Sequence, residues 1–199
     1  MIRMAMIRHG KTHGNLQGRY IGVTDEPLCE EGISELKEME TDTVELLFVS
    51  PMLRCIETAE LLYPYAKKIQ IPELAECNFG EFENKNYQEL QDNQKYQDWV
   101  DSMATLAFPG GESLQEFKNR CIRGFDKVVD TCIRRHYKNV ALIVHGGTIM
   151  SIMEAYGVPK REYYDWHVDN GRGYHICLSE QNWKMGRREA VVESEMRRL

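Results

Sequence analysis

Val140-Ala141-Leu142-Ile143-Val144-His145-Gly146-Gly147-Thr148 is an unbroken apolar run that stops abruptly at a histidine and two glycines. A strand buried on both faces needs such a run, because neither face meets water. Met4–Ile7 and Val44–Val49 repeat the pattern, and each also ends at a polar cluster. Helical spacing fills the stretches between them, at Gly32–Met39, Leu53–Tyr63 and Tyr87–Val100. A longer helix is predicted from Ser113 to about Tyr137, with Leu114, Phe117, Cys121, Phe125, Val128, Val129 and Cys132 on one face. Another is predicted from Thr148 to Tyr156. Strands alternating with helices of this length predict an α/β fold, a three-layer α/β/α sandwich around a largely parallel central sheet. The charge-dense stretch from Lys184 to Leu199 reads as a solvated final helix or a frayed end, with Trp183 closing the last strand.

The chain has 199 residues, 42% of them hydrophobic, enough for one sizeable core, so residues 1–199 are read as a single domain. A net charge of −6 argues against nucleic acid or an anionic membrane as partner. An anionic ligand must then be drawn by a local group of cations. Six cysteines at 29, 55, 77, 121, 132 and 177 are scattered without a C-x-x-C pair, which suits reduced thiols in a cytoplasmic protein. Met1–Ile7 is a short apolar run broken by Arg3, unlike a signal peptide, and no stretch approaches the roughly twenty apolar residues of a membrane helix.

Three strand-to-helix junctions carry the candidate chemistry. The first is Arg8-His9-Gly10-Lys11-Thr12-His13-Gly14-Asn15, the second Ser50-Pro51-Met52-Leu53-Arg54-Cys55-Ile56-Glu57-Thr58-Ala59, and the third His145-Gly146-Gly147-Thr148. In a parallel sheet these junctions meet at one edge, where helix N-termini also point their N–H groups outward. Arg8, His9, Arg54 and His145 are thereby expected together. A phosphomonoester carries close to two negative charges, and guanidinium groups match its oxygens while staying charged. An imidazole attacks phosphorus only when unprotonated, and two neighbouring arginines disfavour imidazolium, so the pocket should lower the pKa of His9. The same arginines then stabilise the equatorial oxygens during transfer, and His145 donates to one of them.

These residues resemble the histidine phosphatase superfamily, in the branch that also holds the cofactor-dependent phosphoglycerate mutases. Arg8-His9-Gly10 with Thr12 and Asn15 matches R-H-G-x-T-x-x-N. Ser50-Pro51 with Arg54, Thr58 and Ala59 matches S-P-x-x-R-x-x-x-T-A, and His145-Gly146 matches the second histidine segment. The resemblance implies a phosphoglycerate mutase-like fold, His9 as the phosphorylated residue, and Arg8, Asn15, Arg54, His145 and Gly146 around the phosphate. Leu74-Ala75-Glu76-Cys77-Asn78-Phe79-Gly80-Glu81-Phe82-Glu83 is similar to the family stretch whose first acidic residue protonates the leaving group. That residue maps to Glu76, with Glu81 second. A carboxyl beside a bound phosphate has its pKa raised towards neutrality, as a general acid needs.

Gly18–Leu28 with Glu31-Gly32, together with Pro109-Gly110-Gly111-Glu112-Ser113, is similar to the bacterial α-ribazole phosphatases of cobalamin assembly, and small phosphatases of broad specificity share much of it. Only 32 residues separate Glu76 from Pro109. The mutases carry a longer cap here, so water should reach the intermediate and the expected reaction is hydrolysis of a small phosphorylated metabolite. Gly22, Glu81 and Tyr87 are candidates for substrate specificity. In the cap, about residues 77–112, Tyr87, Tyr96, Trp99 and Phe108 are either faces for a nucleoside base or core packing. Asn84, Cys29 and Met150 depart from the family pattern. His13, His136, His167 and His175 read as structural or surface residues. A metal site built on His167 is disfavoured because two arginines repel a divalent cation, so neither metal nor cofactor is expected. A phosphoglycerate mutase and a non-catalytic phosphate-binding relative are the alternatives, and the protein is expected as a monomer or homodimer.

Overall fold

The computed structural model describes residues 1–103 and 105–196. In chain order its elements are β1 (Ile2–Arg8), α1 (His13–Leu16), α2 (Glu30–Lys37), β2 (Leu46–Val49), α3 (Leu53–Leu62), β3 (Lys68–Gln70), α4 (Tyr87–Leu90), α5 (Gln94–Asp101), α6 (Leu114–Arg135), β4 (Asn139–Val144), α7 (Gly146–Tyr156), β5 (Gly157–Val158), β6 (Gly173–Leu178), α8 (Glu180–Lys184) and β7 (Ala190–Met196). One sheet holds the seven strands in the order β3-β2-β4-β1-β6-β7-β5. β3, β2, β4 and β1 are parallel, and β6 runs antiparallel to both β1 and β7. The expected sandwich and its mostly parallel centre are therefore present, with a mixed flank.

The three apolar runs are the middle of that sheet. All four residues of β2 and the last five of β4 are buried, as strands covered on both faces must be. On one face, Met4, Met6, Phe48, Leu142 and Val144 pack under α6 and α7 with Phe117, Phe125, Val128 and Ile149. On the other, Ile7, Leu47, Val49 and Ile143 pack against Leu36 of α2 and Cys55 and Ala59 of α3. Helix α6 begins on a capping box, Ser113 with Glu116, and its apolar stripe is buried along its length.

Several boundaries differ from the sequence reading. The single helix expected over Tyr87–Val100 is two, because Asn93 turns out of the first and caps the second by accepting the N–H of Tyr96. The tail from Lys184 is neither a helix nor frayed through Met196: Ala190–Met196 is strand β7, paired along β6. Its side chains are mostly exposed, so the charge density marks a strand near the sheet's edge. Residues 197–199 of that expectation lie outside the described residues. Trp183 ends no strand; it is buried from α8 against Phe125 and Tyr156.

In the cap, Tyr96 and Phe108 are core residues, and Trp99 stacks on Phe108 with ring centroids 4.9 Å apart. Tyr87 is 63% exposed, and Glu81 is exposed and ion-paired with Lys95 at 2.7 Å. No helix of the described residues is long and apolar enough to cross a membrane.

Candidate active site

Strand β1 ends at Arg8, and the chain turns through His9 while the main chain is still tied to β4, His9 N–H donating to Val144 at 2.9 Å. His9 is 4% exposed. Its Nδ1 lies 2.7 Å from the carbonyl oxygen of Gly10. A carbonyl has no proton to give, so Nδ1 carries the hydrogen and donates it, leaving Nε2 with its lone pair. The tautomer needed for attack is set by the backbone. Burial first, then the charges of Arg54 and Arg8, hold the His9 pKa well below the ordinary histidine range; the Gly10 bond opposes them.

The two arginines are held by carbonyls and keep donors in reserve. Arg8 gives one Nη1 hydrogen to Val168 at 2.8 Å. Arg54, wholly buried at the start of α3, donates to the carbonyls of Thr24 at 2.9 Å, Gly22 at 2.9 Å and Ile21 at 3.3 Å. The Nε atoms of both are buried without a hydrogen-bond partner. An unpaired buried donor costs roughly 1–3 kcal/mol, more when charged, so two charged ones call for an anionic partner. α3 also ties the His9 turn in place: the Thr58 hydroxyl accepts the N–H of Gly10 at 3.0 Å and donates to the Arg54 carbonyl at 2.6 Å.

His145 stands at the end of β4 and opens α7 without capping it. Its ring centroid is 5.2 Å from that of His9, edge to face. Nε2 lies 2.7 Å from the hydroxyl oxygen of Ser50. Burial, with Arg54 and His9 next, keeps its pKa well below the usual range as well. Gly146 lets the Arg8 guanidinium lie across the helix start: a Cβ there would stand 3.3 Å from Arg8 Nε. Asn15 holds its amide oxygen inward, accepting from Thr12 N–H at 3.2 Å and from Asn170 at 3.1 Å, which leaves its NH₂ group as a donor.

Glu76 follows a 3₁₀ turn at Pro72–Leu74 and lies within electrostatic reach of both arginines. Its Oε1 accepts the N–H of Cys77 at 2.9 Å, and a Cβ on Gly147 would stand 2.7 Å from that oxygen. Burial raises its pKa, against the lowering effects of that hydrogen bond and the arginines. His9, Arg8, Arg54, His145, Gly146 and Glu76 are thus brought to one place. Glu81 is exposed on the cap and ion-paired with Lys95 at 2.7 and 2.9 Å. Gly22 contributes its carbonyl to Arg54, and a Cβ on it would meet the carbonyl oxygen of Cys77 at 1.8 Å. Among the described residues, no three His, Cys, Asp or Glu side chains are grouped to hold a metal ion.

One organising residue is absent from the sequence reading. The Glu83 carboxylate accepts the N–H groups of Val23 at 2.9 Å, Phe79 at 3.0 Å, Gly22 at 3.2 Å and Thr24 at 3.3 Å, and the Thr24 hydroxyl at 2.7 Å. It folds the 22–24 loop whose carbonyls hold Arg54. Its only trace in the sequence is its place at the end of the Leu74–Glu83 stretch.

A buried imidazole with a free nitrogen, two arginines with unpartnered donors, a second imidazole and a protonatable carboxyl make a pocket whose chemistry suits a phosphoryl group. Residues 4–190 match the histidine phosphatase superfamily (branch 1), and the chain belongs to that family. It is 28% identical over 179 residues to the adenosylcobalamin/α-ribazole phosphatase of Escherichia coli K12, covering 85% of this chain and 87% of that one. It is 30% identical over 166 residues to a 2,3-bisphosphoglycerate-dependent phosphoglycerate mutase of Gloeobacter violaceus, covering 77% of this chain and 74% of that one. A crystal structure of a putative α-ribazole-5′-P phosphatase from Escherichia coli superposes with a TM-score of 0.85 at 23% identity over 99% of this chain and 97% of that one, a likeness of fold.

Proposed function

We propose that the protein hydrolyses a small phosphomonoester through a phosphohistidine on His9. The observation that carries this reading is the Nδ1–H bond from His9 to the Gly10 carbonyl, which leaves Nε2 unprotonated between two arginines with unused buried donors. In the first step Nε2 attacks phosphorus; the N–P bond forms as the P–O bond to the leaving group breaks, and Glu76 gives its proton to the departing oxygen. Arg8, Arg54, Asn15, His145 and the N–H of Gly146 meet the phosphoryl oxygens. In the second step water attacks phosphorus, Glu76 takes its proton, the N–P bond breaks and inorganic phosphate leaves. The cytoplasm is the expected place for such a reaction.

For the substrate, the α-ribazole phosphatase relative favours α-ribazole 5′-phosphate. A mutase reading has one observation in its favour, the 30% identity to a phosphoglycerate mutase. The test is phosphate release, with chelator present, from α-ribazole 5′-phosphate, p-nitrophenyl phosphate, 3-phosphoglycerate and sugar phosphates, with His9→Ala as control. Strong preference for α-ribazole phosphate, lost in the variant, supports both reaction and substrate. Weak, even activity lost in the variant keeps the reaction and discards that substrate. Isomerisation of 3-phosphoglycerate dependent on 2,3-bisphosphoglycerate, without phosphate release, replaces the reading with the mutase.

A further inference from the structure

Arg120 lies on α6, and its five N–H donors are divided between the Glu112 carboxylate and the main chain of Glu73–Glu76. Nε donates to Oε1 of Glu112 at 2.8 Å and Nη2 to Oε2 at 2.7 Å, a two-point carboxylate pair. Nη1 donates to the carbonyls of Glu73 at 2.9 Å and Ala75 at 2.8 Å, and the second Nη2 hydrogen goes to the carbonyl of Glu76 at 3.1 Å. Glu112 closes the arrangement from the far side. Its Oε2 accepts the N–H of Asn78 at 2.9 Å, and its own N–H donates to the Asn78 carbonyl at 2.9 Å. Both side chains are largely covered, at 20% and 23% exposure, where such bonds are screened little by solvent.

The main chain of Glu76 belongs to no helix or strand, so no ladder of backbone hydrogen bonds fixes it. Yet a proton donor must sit within a fraction of an ångström of the departing oxygen, and a misplacement of about 1 Å can cost roughly a hundredfold in rate. We propose that Arg120 and Glu112 are positioning residues for Glu76, gripping its segment on both sides so that the carboxyl meets the leaving group. The inference rests on the proton-donor role proposed above for Glu76. The guanidinium suits the task because its planar fork reaches a carboxylate and three carbonyls at once; a lysine ammonium has three donors and no fork.

The test separates leaving groups. Nitrophenolate departs without a proton, whereas an alkoxide needs one. Single-turnover phosphorylation of His9 is measured with p-nitrophenyl phosphate and with glycerol phosphate, for the unaltered protein, Glu76→Gln, Arg120→Lys and Glu112→Gln, each checked by thermal melting. General acid catalysis is worth about 10²–10⁴-fold, so Arg120→Lys and Glu112→Gln should slow the alkyl ester about tenfold or more and leave the nitrophenyl ester within about twofold. A parallel fall on both esters makes the pair a structural staple and overturns the inference, as does no change on either. If Glu76→Gln itself shows no split, the proton-donor reading fails, and that result is distinct from a split confined to Glu76→Gln, which sinks the positioning role alone.

Discussion

The hydroxyl oxygen of Ser50 lies 2.7 Å from Nε2 of His145, with both side chains fully buried. The same oxygen accepts the N–H of Met52 at 3.5 Å, which leaves its own hydrogen available to Nε2. With the hydroxyl donating to Nε2, neutral His145 carries its proton on Nδ1, the form that can donate to a phosphoryl oxygen. Ser50→Ala removes the partner that fixes this tautomer. We expect kcat to fall about tenfold and stability to drop by about 1–3 kcal/mol, the cost of an unsatisfied buried polar group. Kinetics on p-nitrophenyl phosphate and a denaturant melt check it; unchanged kcat removes the serine from the mechanism.

Glu83 acts on Arg54 through the loop between them. Replacing it with alanine leaves the N–H groups of Gly22, Val23, Thr24 and Phe79 without their acceptor, and the carbonyls that hold Arg54 lose their frame. Glu83→Ala should destabilise the protein by about 2–4 kcal/mol and Glu83→Gln by less. Both should weaken inorganic phosphate binding, read as the rise in melting temperature that phosphate produces. Equal phosphate stabilisation in Glu83→Gln and the unaltered protein would show that Arg54 holds its place without the loop.

Gly147→Ala is a steric test of Glu76. The new methyl would stand 2.7 Å from Oε1 of Glu76 and 2.9 Å from the Phe117 ring, closer than carbon atoms approach either. Alanine favours the helix, so the fold should survive, while the carboxyl is pushed from its place. Hydrolysis of alkyl phosphates should fall about a hundredfold, the cost of misplacing a reacting group by about 1 Å. A variant with normal alkyl turnover would mean that Glu76 moves without consequence.

Acid should destabilise the protein through its buried histidines. The pKa of His9 is held below the unfolded value of 6.5, so the unfolded chain binds a proton that the folded one refuses. Stability from this source is present above pH 6.5 and is lost as pH falls from there towards the lowered folded pKa. Glu76, with its pKa raised above 4.5, works in the other direction: its contribution is present at low pH and is lost as pH rises through the folded value. Unfolding free energy measured between pH 7 and 5 should therefore decline less steeply in His9→Asn, by up to about 1.4 kcal/mol per pH unit for the missing proton. Identical slopes would place a charged His9 in the folded state.

The site was legible where chemistry coincides with a strand end. Arg8, His9, Arg54 and His145 each follow an apolar run, and topology carries such positions to one edge. Glu76 was reached by resemblance, since nothing in its local pattern marks an acid. Arg120 works through main-chain carbonyls more than 40 residues away, and Glu112 through the N–H of Asn78, 34 residues away, relationships without periodicity. The last strand read from the sequence, expected to close at Trp183, ends instead at Leu178, and β7 escaped the reading because an edge-region strand keeps charges on its surface.

The place of β1 between β4 and β6 has a consequence for how the protein is made. Residues 2–8 are synthesised long before their neighbours in the sheet, 139–144 and 173–178, and β2 also waits for β4. Pairing at such separation makes folding slow and leaves the growing chain with apolar strands unmatched. His9 is thus made well before β4, the strand whose Val144 ties its main chain, and a chain that stops short of β4 leaves the histidine turn without that tie.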